Sequence, residues 1–414
     1  MKDVSSQQTP NLSELSFDQR IARSLRSHLK VGDPLGGRSE DGASYVLPPS
    51  GNGGETQDYG RQGHAPGKVI ESAVKAGELG AHCYAFSDGM RAIAAASEAI
   101  VTPSDTVLLH RSVYGGTERY FTTEQRKGRL SLDRIDLTSS SAPEEIRAAR
   151  PKLIVGETVS NPLMEVSDLA PIMSAARDVG AHMMLDNTLA TGRACVPLEI
   201  ARSVGYDRLL DVLSLTKGYT AGKLSGAVVT DNAELAQLLF EERRCKGGAL
   251  PADSCSKVLD GIKSMDVRME RMARTTQALV ELLSGSSLDG IEVLHPLVAC
   301  GRQRELAQRY LRTVPAVVTL RCSLPQERFE ALSERLSELF FRANSFNGAY
   351  PMMSESAKQS HAGIKDADAK KAAGVAGGLI RLSTGSIDST EEIVSQVKSL
   401  LRSWAQNSAS SLPS

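Results

Sequence analysis

The sequence predicts an α/β protein. A large domain with a mostly parallel sheet, sandwiched by helices, is followed by a smaller C-terminal α/β domain. Short apolar runs alternate with helix-like segments between residues 82 and 230, and such alternation is typical of a doubly wound sheet. Strand and helix patterns resume from about residue 296. A chain of 414 residues is long enough to bury two cores.

The charge of the chain is nearly balanced, with 48 basic and 49 acidic side chains and a formal net charge of -1. This balance does not indicate nucleic acid or an anionic membrane as a partner. No apolar run approaches the roughly 18 residues of a spanning helix, and the N-terminus lacks the apolar segment of a secretory signal. None of the six cysteines lies in a CxxC pair. We therefore expect a reduced, cytoplasmic protein without a membrane span or a metal site.

The first 58 residues are polar and rich in Gly, Ser and Pro. One amphipathic helix is predicted over 16–29, and the rest of this segment reads as an irregular arm. Composition alone leaves a disordered tail as the alternative. We predict three units: the N-terminal arm (1–58), a large domain (59–295) and a small domain (296–414).

Apolar runs and helix-like segments follow each other through the large domain. The patterns predict helices over 67–80 and 167–181. They predict strands at the start of 82–100 and of 106–121, at Leu153–Val155, within 181–188, at 209–215 and at 226–230. In the small domain the patterns predict a strand over 316–322 and an amphipathic helix over 325–341.

Two of these strands end in residues that suit one cofactor. Lys217 follows the apolar run 209–215, and a lysine between buried strands must pair or become a neutral, nucleophilic amine. Ser214 and Thr216 offer hydroxyls that suit a phosphate. Asp186 ends another strand, where α/β proteins bind ligands. Pyridoxal 5'-phosphate (PLP) needs a lysine, an acid for its ring nitrogen and a phosphate cradle. A solvated lysine at a strand end is the alternative for Lys217 alone.

Here the chain resembles a known family. LDNT (185–188) and SLTK (214–217) match the "DN" and "S-x-T-K" motifs of the Cys/Met metabolism family of PLP-dependent enzymes, which includes cystathionine γ-synthase, cystathionine γ-lyase and methionine γ-lyase. The resemblance covers most of the chain. It implies a PLP-dependent aminotransferase-like fold (fold type I), with Lys217 as the Schiff-base lysine and proton shuttle, and Asp186 at the pyridine nitrogen.

The segment YGRQGHAP (59–66) is similar to the family's "Y-x-R-x-G-N-P-T". The resemblance implies that Tyr59 and Arg61 bind the cofactor phosphate of the adjacent subunit and that the N-terminal arm reaches across to it. A homotetramer, built as a dimer of dimers with shared active sites, is the expected assembly. The match fails at the three residues from His64 to Pro66, where the family has Asn, Pro and Thr.

Further cofactor contacts follow from the same resemblance. Gly89 and Met90 match a "S-G-M" motif whose amides hold the phosphate, as a helix N-terminus can. Asp88 stands where the family commonly has a small hydroxyl residue. A carboxylate near a phosphate is unfavourable unless Asp88 caps the helix or pairs with Arg91. The resemblance also implies that Tyr114 stacks on the pyridine ring and is a candidate catalytic residue. It implies that Asn161 binds the phenolic oxygen of the cofactor. Arg119 is expected near the distal end of the substrate.

The later part of the chain supplies the expected substrate contacts. LIRLSTGSID (379–388) matches "I-R-L-S-x-G-I-E-D", so Arg381 is the candidate clamp for the substrate α-carboxylate. Ser345 takes the place of a family serine near the lysine. Asn344 takes the place where γ-acting members often have Glu and β-lyases often have Tyr, and it decides for neither. The segment 245–283 resembles a long family helix that leaves the large domain.

The predicted activity is that of a PLP-dependent lyase or transferase acting on a small, γ-substituted α-amino acid, such as a homoserine ester or cystathionine, by γ-elimination or γ-replacement. A β-lyase, or another reaction type on the same cofactor, stays open because of Asn344 and because the loop after Lys217 departs from the family pattern. A catalytically silent, partner-binding relative is a further alternative, suggested by Asp88 and by the changed HAP run (64–66).

Overall fold

The computed structural model describes residues 12–27, 60–286, 288–356, 374 and 378–409. Tyr59 and most of the N-terminal arm lie outside the described residues. None of the helices in the described ranges is long and apolar enough to cross a membrane.

The large domain is built on a seven-stranded sheet with the order β1-β7-β6-β5-β4-β2-β3. Strands β6, β5, β4, β2 and β3 run parallel, and β7 lies antiparallel to both β1 and β6. This confirms the mostly parallel sheet predicted from the sequence. The strands are β1 (His82–Phe86), β2 (Thr106–His110), β3 (Ser131–Ile135), β4 (Leu153–Glu157), β5 (His182–Asp186), β6 (Leu209–Leu213) and β7 (Gly226–Thr230).

Helices cover both faces of this sheet, as expected where both faces of the strands are apolar. On one face α1, α2, α6, α8 and α10 pack in one core, and on the other α3, α4 and α9 pack in a second core. A 3₁₀ turn, Leu12–Glu14, precedes the helices. The helices are α1 (Phe17–Ser27), α2 (Ala65–Gly77), α3 (Gly89–Glu98), α4 (Gly115–Arg126), α5 (Ala142–Ala149), α6 (Leu169–Val179), α7 (Thr191–Ala194), α8 (Pro197–Ser203), α9 (Ala233–Lys246), α10 (Ala252–Lys263) and α11 (Met265–Ser284).

The segment 245–283 is not one helix, so that expectation was wrong. Helix α9 ends before Gly247 and Gly248, whose φ angles of 75° and 85° are left-handed. Pro251 lies directly before α10. Because proline has no N–H to donate to a preceding helical turn, it keeps α10 separate from α9. At Ser264, with φ -99° and ψ 0°, the chain leaves helical geometry before α11 begins.

Helix α11 joins the large domain to the smaller domain. Its first half buries Met265, Met269 and Met272 in the core of the large domain. Its second half buries Leu279 and Val280 against the smaller sheet. The two sheets are therefore connected by one amphipathic helix that packs into both domains, rather than by a polar linker.

The smaller domain is built on a five-stranded sheet with the order β10-β11-β12-β9-β8. Its strands are antiparallel except for the short β10–β11 pair. Strand β8 belongs to this sheet although it precedes residue 295, and the three domain limits given above stay predictions. The elements are β8 (Ile291–Leu294), α12 (Gly301–Tyr310), β9 (Val317–Cys322), α13 (Gln326–Ser337), β10 (Phe341–Arg342), β11 (Met352–Glu355), β12 (Gly378–Ser383) and α14 (Thr390–Ala409).

Candidate active site

A cavity of about 310 Å³ lies at the carboxyl ends of β4, β5 and β6, where open α/β sheets bind ligands. Side chains from the smaller domain close one side of it. Ten of the residues predicted from the sequence line this cavity: Gly89, Met90, Tyr114, Asn161, Asp186, Ser214, Thr216, Lys217, Asn344 and Arg381. The fold thus brings together residues that are almost 300 positions apart in the chain.

Lys217 lies just beyond β6 and reaches toward the smaller domain. Its Nζ donates a hydrogen bond of 2.9 Å to the Ser345 hydroxyl and lies 5.3 Å from the centre of the Phe346 ring. Burial and the nearby Arg381 lower the pKa of Lys217 to about 8. A lysine with this pKa is partly neutral near physiological pH, so its amine can act as a nucleophile or a base.

Asp186 ends β5 on the floor of the cavity. Its Oδ1 accepts a hydrogen bond of 2.9 Å from the Thr188 N–H, and the Thr188 hydroxyl in turn accepts one of 2.8 Å from the Ser214 N–H. Burial raises the pKa of Asp186, while Thr188 and Lys217 lower it. This chain of bonds fixes the end of β5 against the segment that leads to Lys217.

Arg381 stands on β12, with only 3% of its surface exposed. It donates hydrogen bonds of 2.9 Å to Asn161 Oδ1 and to the Ser345 carbonyl. Burial lowers the pKa of Arg381 to about 10. Because arginine only donates, the Asn161 amide turns its oxygen to Arg381 and leaves its NH₂ group to donate elsewhere.

Glu157, at the end of β4, holds two loops of the cavity together. Its carboxylate accepts hydrogen bonds of 2.7 Å from the backbone N–H of Tyr114 and from that of Asn161. Burial, together with the nearby Asp186, raises the pKa of Glu157 well above its usual range. Sequence reasoning gave Glu157 no place in the site, because the Tyr114 N–H that it binds belongs to a distant segment.

The start of α3 approaches the end of β6 very closely. A Cβ added at Gly89 would lie 2.6 Å from the Ser214 Cβ, so only glycine fits there. Asp88 caps α3, because its carboxylate accepts a hydrogen bond of 2.8 Å from the Arg91 N–H. Arg91 itself pairs with Glu242 and Glu98. Of the two ways to accommodate Asp88 considered above, the structure therefore uses the cap.

Tyr114 and Thr216 also line the cavity. The Tyr114 ring packs so close to Gly116 that a Cβ there would lie 2.4 Å from Cε1. The Thr216 hydroxyl donates to the Ser225 carbonyl and accepts from the Ser225 N–H, both at 3.1 Å. Thr216 thus lines the cavity, but its hydroxyl also ties the lysine loop to the start of β7.

Comparison with known proteins identifies the family. A family model described as "Cys/Met metabolism PLP-dependent enzyme" matches residues 41–402, which is most of the chain. The chain belongs to this family. Its cofactor is therefore pyridoxal 5'-phosphate, and the protein is a PLP-dependent enzyme.

The proteins that this chain resembles include enzymes of different specificity. It is 28% identical to a cystathionine γ-synthase of Escherichia coli (strain K12) over 83% of this chain and 87% of the relative. It is 30% identical to a cystathionine β-lyase of Coxiella burnetii over 79% and 83%. A crystal structure of cystathionine γ-synthase from Xanthomonas oryzae pv. oryzae, in complex with cystathionine, superposes with a TM-score of 0.87 at 28% identity and covers 96% of this chain and 100% of that chain.

The residues of the cavity fit the family's cofactor. The first amides of α3, at Gly89 and Met90, have no acceptor within the helix and suit a phosphate, and the missing Gly89 side chain leaves room beside Ser214. Asp186 and Lys217 face the same space. The set therefore contains an anion cradle, a carboxylate and an amine, the three groups that this cofactor requires.

Some predicted residues are not brought to this cavity. Arg119 is exposed on α4, and Arg61 is exposed in the turn before α2, near Gly247; neither lines the cavity. His64, where the family has Asn, caps α2 by accepting a 2.9 Å hydrogen bond from Gly67 N–H at its Nδ1. That bond explains how the departure from the family pattern is accommodated.

Sequence reasoning also missed apolar residues of the site. Phe346 packs under both cationic groups, with its ring centre 5.1 Å from the Arg381 Cζ. Leu224 lines the cavity although its surface is 70% exposed. No local signal distinguishes these two side chains from ordinary apolar residues, and Phe346 reaches the site only because the smaller domain meets the large one there.

Proposed function

We propose that the protein is a PLP-dependent lyase or transferase that acts on a γ-substituted α-amino acid, such as a homoserine ester or cystathionine, by γ-elimination or γ-replacement. The observation that carries the proposal is the convergence of Lys217, Asp186 and Arg381 on one cavity. The similarity to a cystathionine γ-synthase along most of both chains supports it.

Each of these side chains has a separate role in the proposal. When bound, the cofactor supplies an aldehyde that condenses with amines and a ring that accepts electrons from the substrate Cα. Asp186, as a carboxylate, holds a proton on the ring nitrogen. Arg381 binds the substrate carboxylate and so orients the Cα–H bond. Lys217 Nζ takes the Cα proton and, for a γ-reaction, moves it on so that a leaving group can depart from Cγ.

The other lining residues hold the cofactor in this proposal. The amides of Gly89 and Met90 and the hydroxyls of Ser214 and Thr216 bind the phosphate. Tyr114 packs its ring on the cofactor plane and assists the leaving group. Asn161 donates its NH₂ group to the phenolic oxygen, consistent with the amide orientation that Arg381 imposes. Ser345 and Asn344 contact the substrate.

A β-lyase is the second candidate, favoured by the 30% identity to a cystathionine β-lyase. One experiment separates the two: incubation of the holoenzyme with O-acyl-homoserines, cystathionine, methionine and cysteine, with identification of the keto acid. Cleavage of cystathionine at Cγ yields a four-carbon keto acid, and cleavage at Cβ yields pyruvate. Turnover of none of these amino acids would contradict both candidates.

We further propose a cytoplasmic homotetramer in which the active sites are shared between subunits. In this proposal Tyr59 and Arg61 bind the cofactor phosphate of the neighbouring subunit, and Arg119 serves the distal end of the substrate. The exposure of Arg61, away from the cavity of its own chain, supports the proposal.

Subunit mixing tests the shared site. Arg61→Ala and Lys217→Ala subunits, each inactive or weak alone, are mixed under conditions in which tagged subunits are seen to exchange. We expect partial activity, because a hybrid dimer contains one site with both residues intact. Verified exchange without any recovery would show that the two residues serve one subunit's site or that Arg61 has no role.

A further inference from the structure

A second polar cluster lies behind the cavity, on the opposite face of the sheet. Asp211 of β6 stands beside Leu185 of β5. Because side chains alternate along a strand, Asp211 points away from the face that Asp186 presents to the cavity. Asp211 and Glu78, which follows α2, both have 0% of their surface exposed. Two carboxyl groups in an apolar core need a physical reason.

Glu78 is bonded to segments that carry two proposed cofactor residues. It accepts hydrogen bonds from the Tyr219 hydroxyl at 2.5 Å, from the Gly192 N–H at 2.8 Å and from Asn187 Nδ2 at 3.1 Å. Asn187 directly follows Asp186, and Tyr219 lies two residues after Lys217. One carboxylate therefore ties together the two segments from behind.

The arrangement of protons follows from these bonds. Burial raises the pKa of Glu78, and its donors and Arg20 lower it, whereas neither carboxyl oxygen of Asp211 has a hydrogen-bond partner in the described part of the chain. Burial and its contact with Glu78 raise the pKa of Asp211 well above its usual range. Asp211, with no donor beside its oxygens in the described part of the chain, is therefore the protonated carboxyl next to Glu78.

The backbone around Glu78 is shaped for this contact. A Cβ at Gly192 would lie 2.3 Å from the Gly77 carbonyl and 2.9 Å from Glu78 Oε2, and a Cβ at Gly77 would lie 2.7 Å from the Tyr219 hydroxyl. Arg20 of α1, with 2% exposure, donates to the carbonyls of both glycines. Its charge offsets that of Glu78, so the N-terminal helix seals the cluster.

We propose that Glu78 is a positioning residue that fixes Asp186 through Asn187 and Lys217 through Tyr219. The inference rests on the proposed roles of Lys217 and Asp186. It assigns a function to a site that no substrate reaches. The fold thereby sets the spacing between the amine and the carboxylate from the apolar side of the sheet.

Tyr219→Phe tests the link to the lysine, because it removes only the hydroxyl from a buried ring. Tyr206→Phe is the matched control: its hydroxyl is also buried in the same core cluster, but it bonds the carbonyls of Ala181 and Arg208. In the holoenzyme we expect Tyr219→Phe to lower kcat by about tenfold with little change in KM. We also expect it to shift the pH midpoint of the visible cofactor absorption and to speed cofactor release.

Comparison of the two variants decides the proposal. A spectral shift in Tyr219→Phe and none in Tyr206→Phe supports it. Equal shifts in both variants, or a shift in neither, would overturn it, since a merely structural hydroxyl moves thermal stability alone. Loss of the band in both variants would also count against it. If Lys217→Ala kept the visible band of the wild type, the proposed role of Lys217 itself would be refuted. Failure of the proposed function can therefore be distinguished from failure of the positioning role of Glu78.

Glu78→Gln provides the second arm. If Tyr219 acts on the spectral midpoint through its bond to Glu78, Tyr219→Phe should add little once Glu78 is replaced. The double variant Glu78→Gln/Tyr219→Phe will then differ little from Glu78→Gln alone. Fully additive shifts would show that the two side chains act independently and would overturn the proposed link. Should Glu78→Gln fail to fold, the Tyr219→Phe and Tyr206→Phe pair still decides the question.

Discussion

Strands β5 and β6 carry buried carboxyl groups on both faces, and the two faces use them differently. On the cavity side, Asp186 shares open space with the cations Lys217 and Arg381. On the core side, Asp211 and Glu78 are enclosed by packed side chains and sealed by Arg20. Burial raises the pKa of the carboxyl in each case. A buried carboxyl group therefore does not by itself indicate an active site. The carboxyl group of the candidate site also borders a cavity with room for a ligand and lies near cationic side chains.

The largest effect should come from the cavity side. Lys217→Ala should abolish the visible band of the bound cofactor and lower turnover by about three orders of magnitude or more, because among the described residues Lys217 is the lysine that lines the cavity. Lys223→Ala, in the same loop but with an exposed side chain, is the control and should keep both. Absorption spectra and keto-acid assays measure the outcome. An unchanged band in Lys217→Ala would remove the basis of the site.

Asp186→Asn should have the next largest effect. The variant should retain some cofactor but lose turnover by about a hundredfold or more, since a neutral amide does not hold the proton on the ring nitrogen. Asp133→Asn, an exposed change on β3 of the same sheet, serves as the control. Turnover close to that of the wild type would show that a different side chain pairs with the ring nitrogen.

These two residues were predictable from the sequence because each follows an apolar strand that signals its own position. Pairs formed across the chain were not predictable. The bond between Asn161 and Arg381 spans 220 positions and depends on how the two domains meet. Asp211 lies in the middle of an apolar strand, where its local pattern suggests no partner, and Glu78 becomes its neighbour only through the packing of α2 on the sheet.

The two faces should also differ in how they respond to pH. Because the pKa of Lys217 is lowered to about 8, its neutral fraction rises through that pH. The rate at which the protein freed of cofactor recombines with it should therefore rise with pH through about 8. The folded lysine releases its proton earlier than the unfolded one, so its contribution to stability also rises with pH from about 8 to 10.5. A recombination rate that is flat across this range would contradict the lowered pKa.

The smallest effect, and the sharpest test of the comparison, concerns Asp211→Asn. In the folded protein the pKa of Asp211 is raised above its unfolded value, so the folded state holds the proton more tightly. The stability contributed by that proton is full below the unfolded pKa and is lost as the pH rises toward the folded pKa. Asparagine at position 211 stays neutral at every pH and avoids this loss.

We therefore expect Asp211→Asn to unfold at a higher temperature than the wild type near pH 8, by a margin equivalent to about 1 kcal/mol, with the margin shrinking as the pH approaches 4. Thermal midpoints of the holoenzyme across this range measure it. Asp207→Asn, exposed just before β6, should show no such trend. A margin independent of pH would mean that Asp211 is already ionised in the fold, and the two faces of the sheet would then hold their acids in the same state.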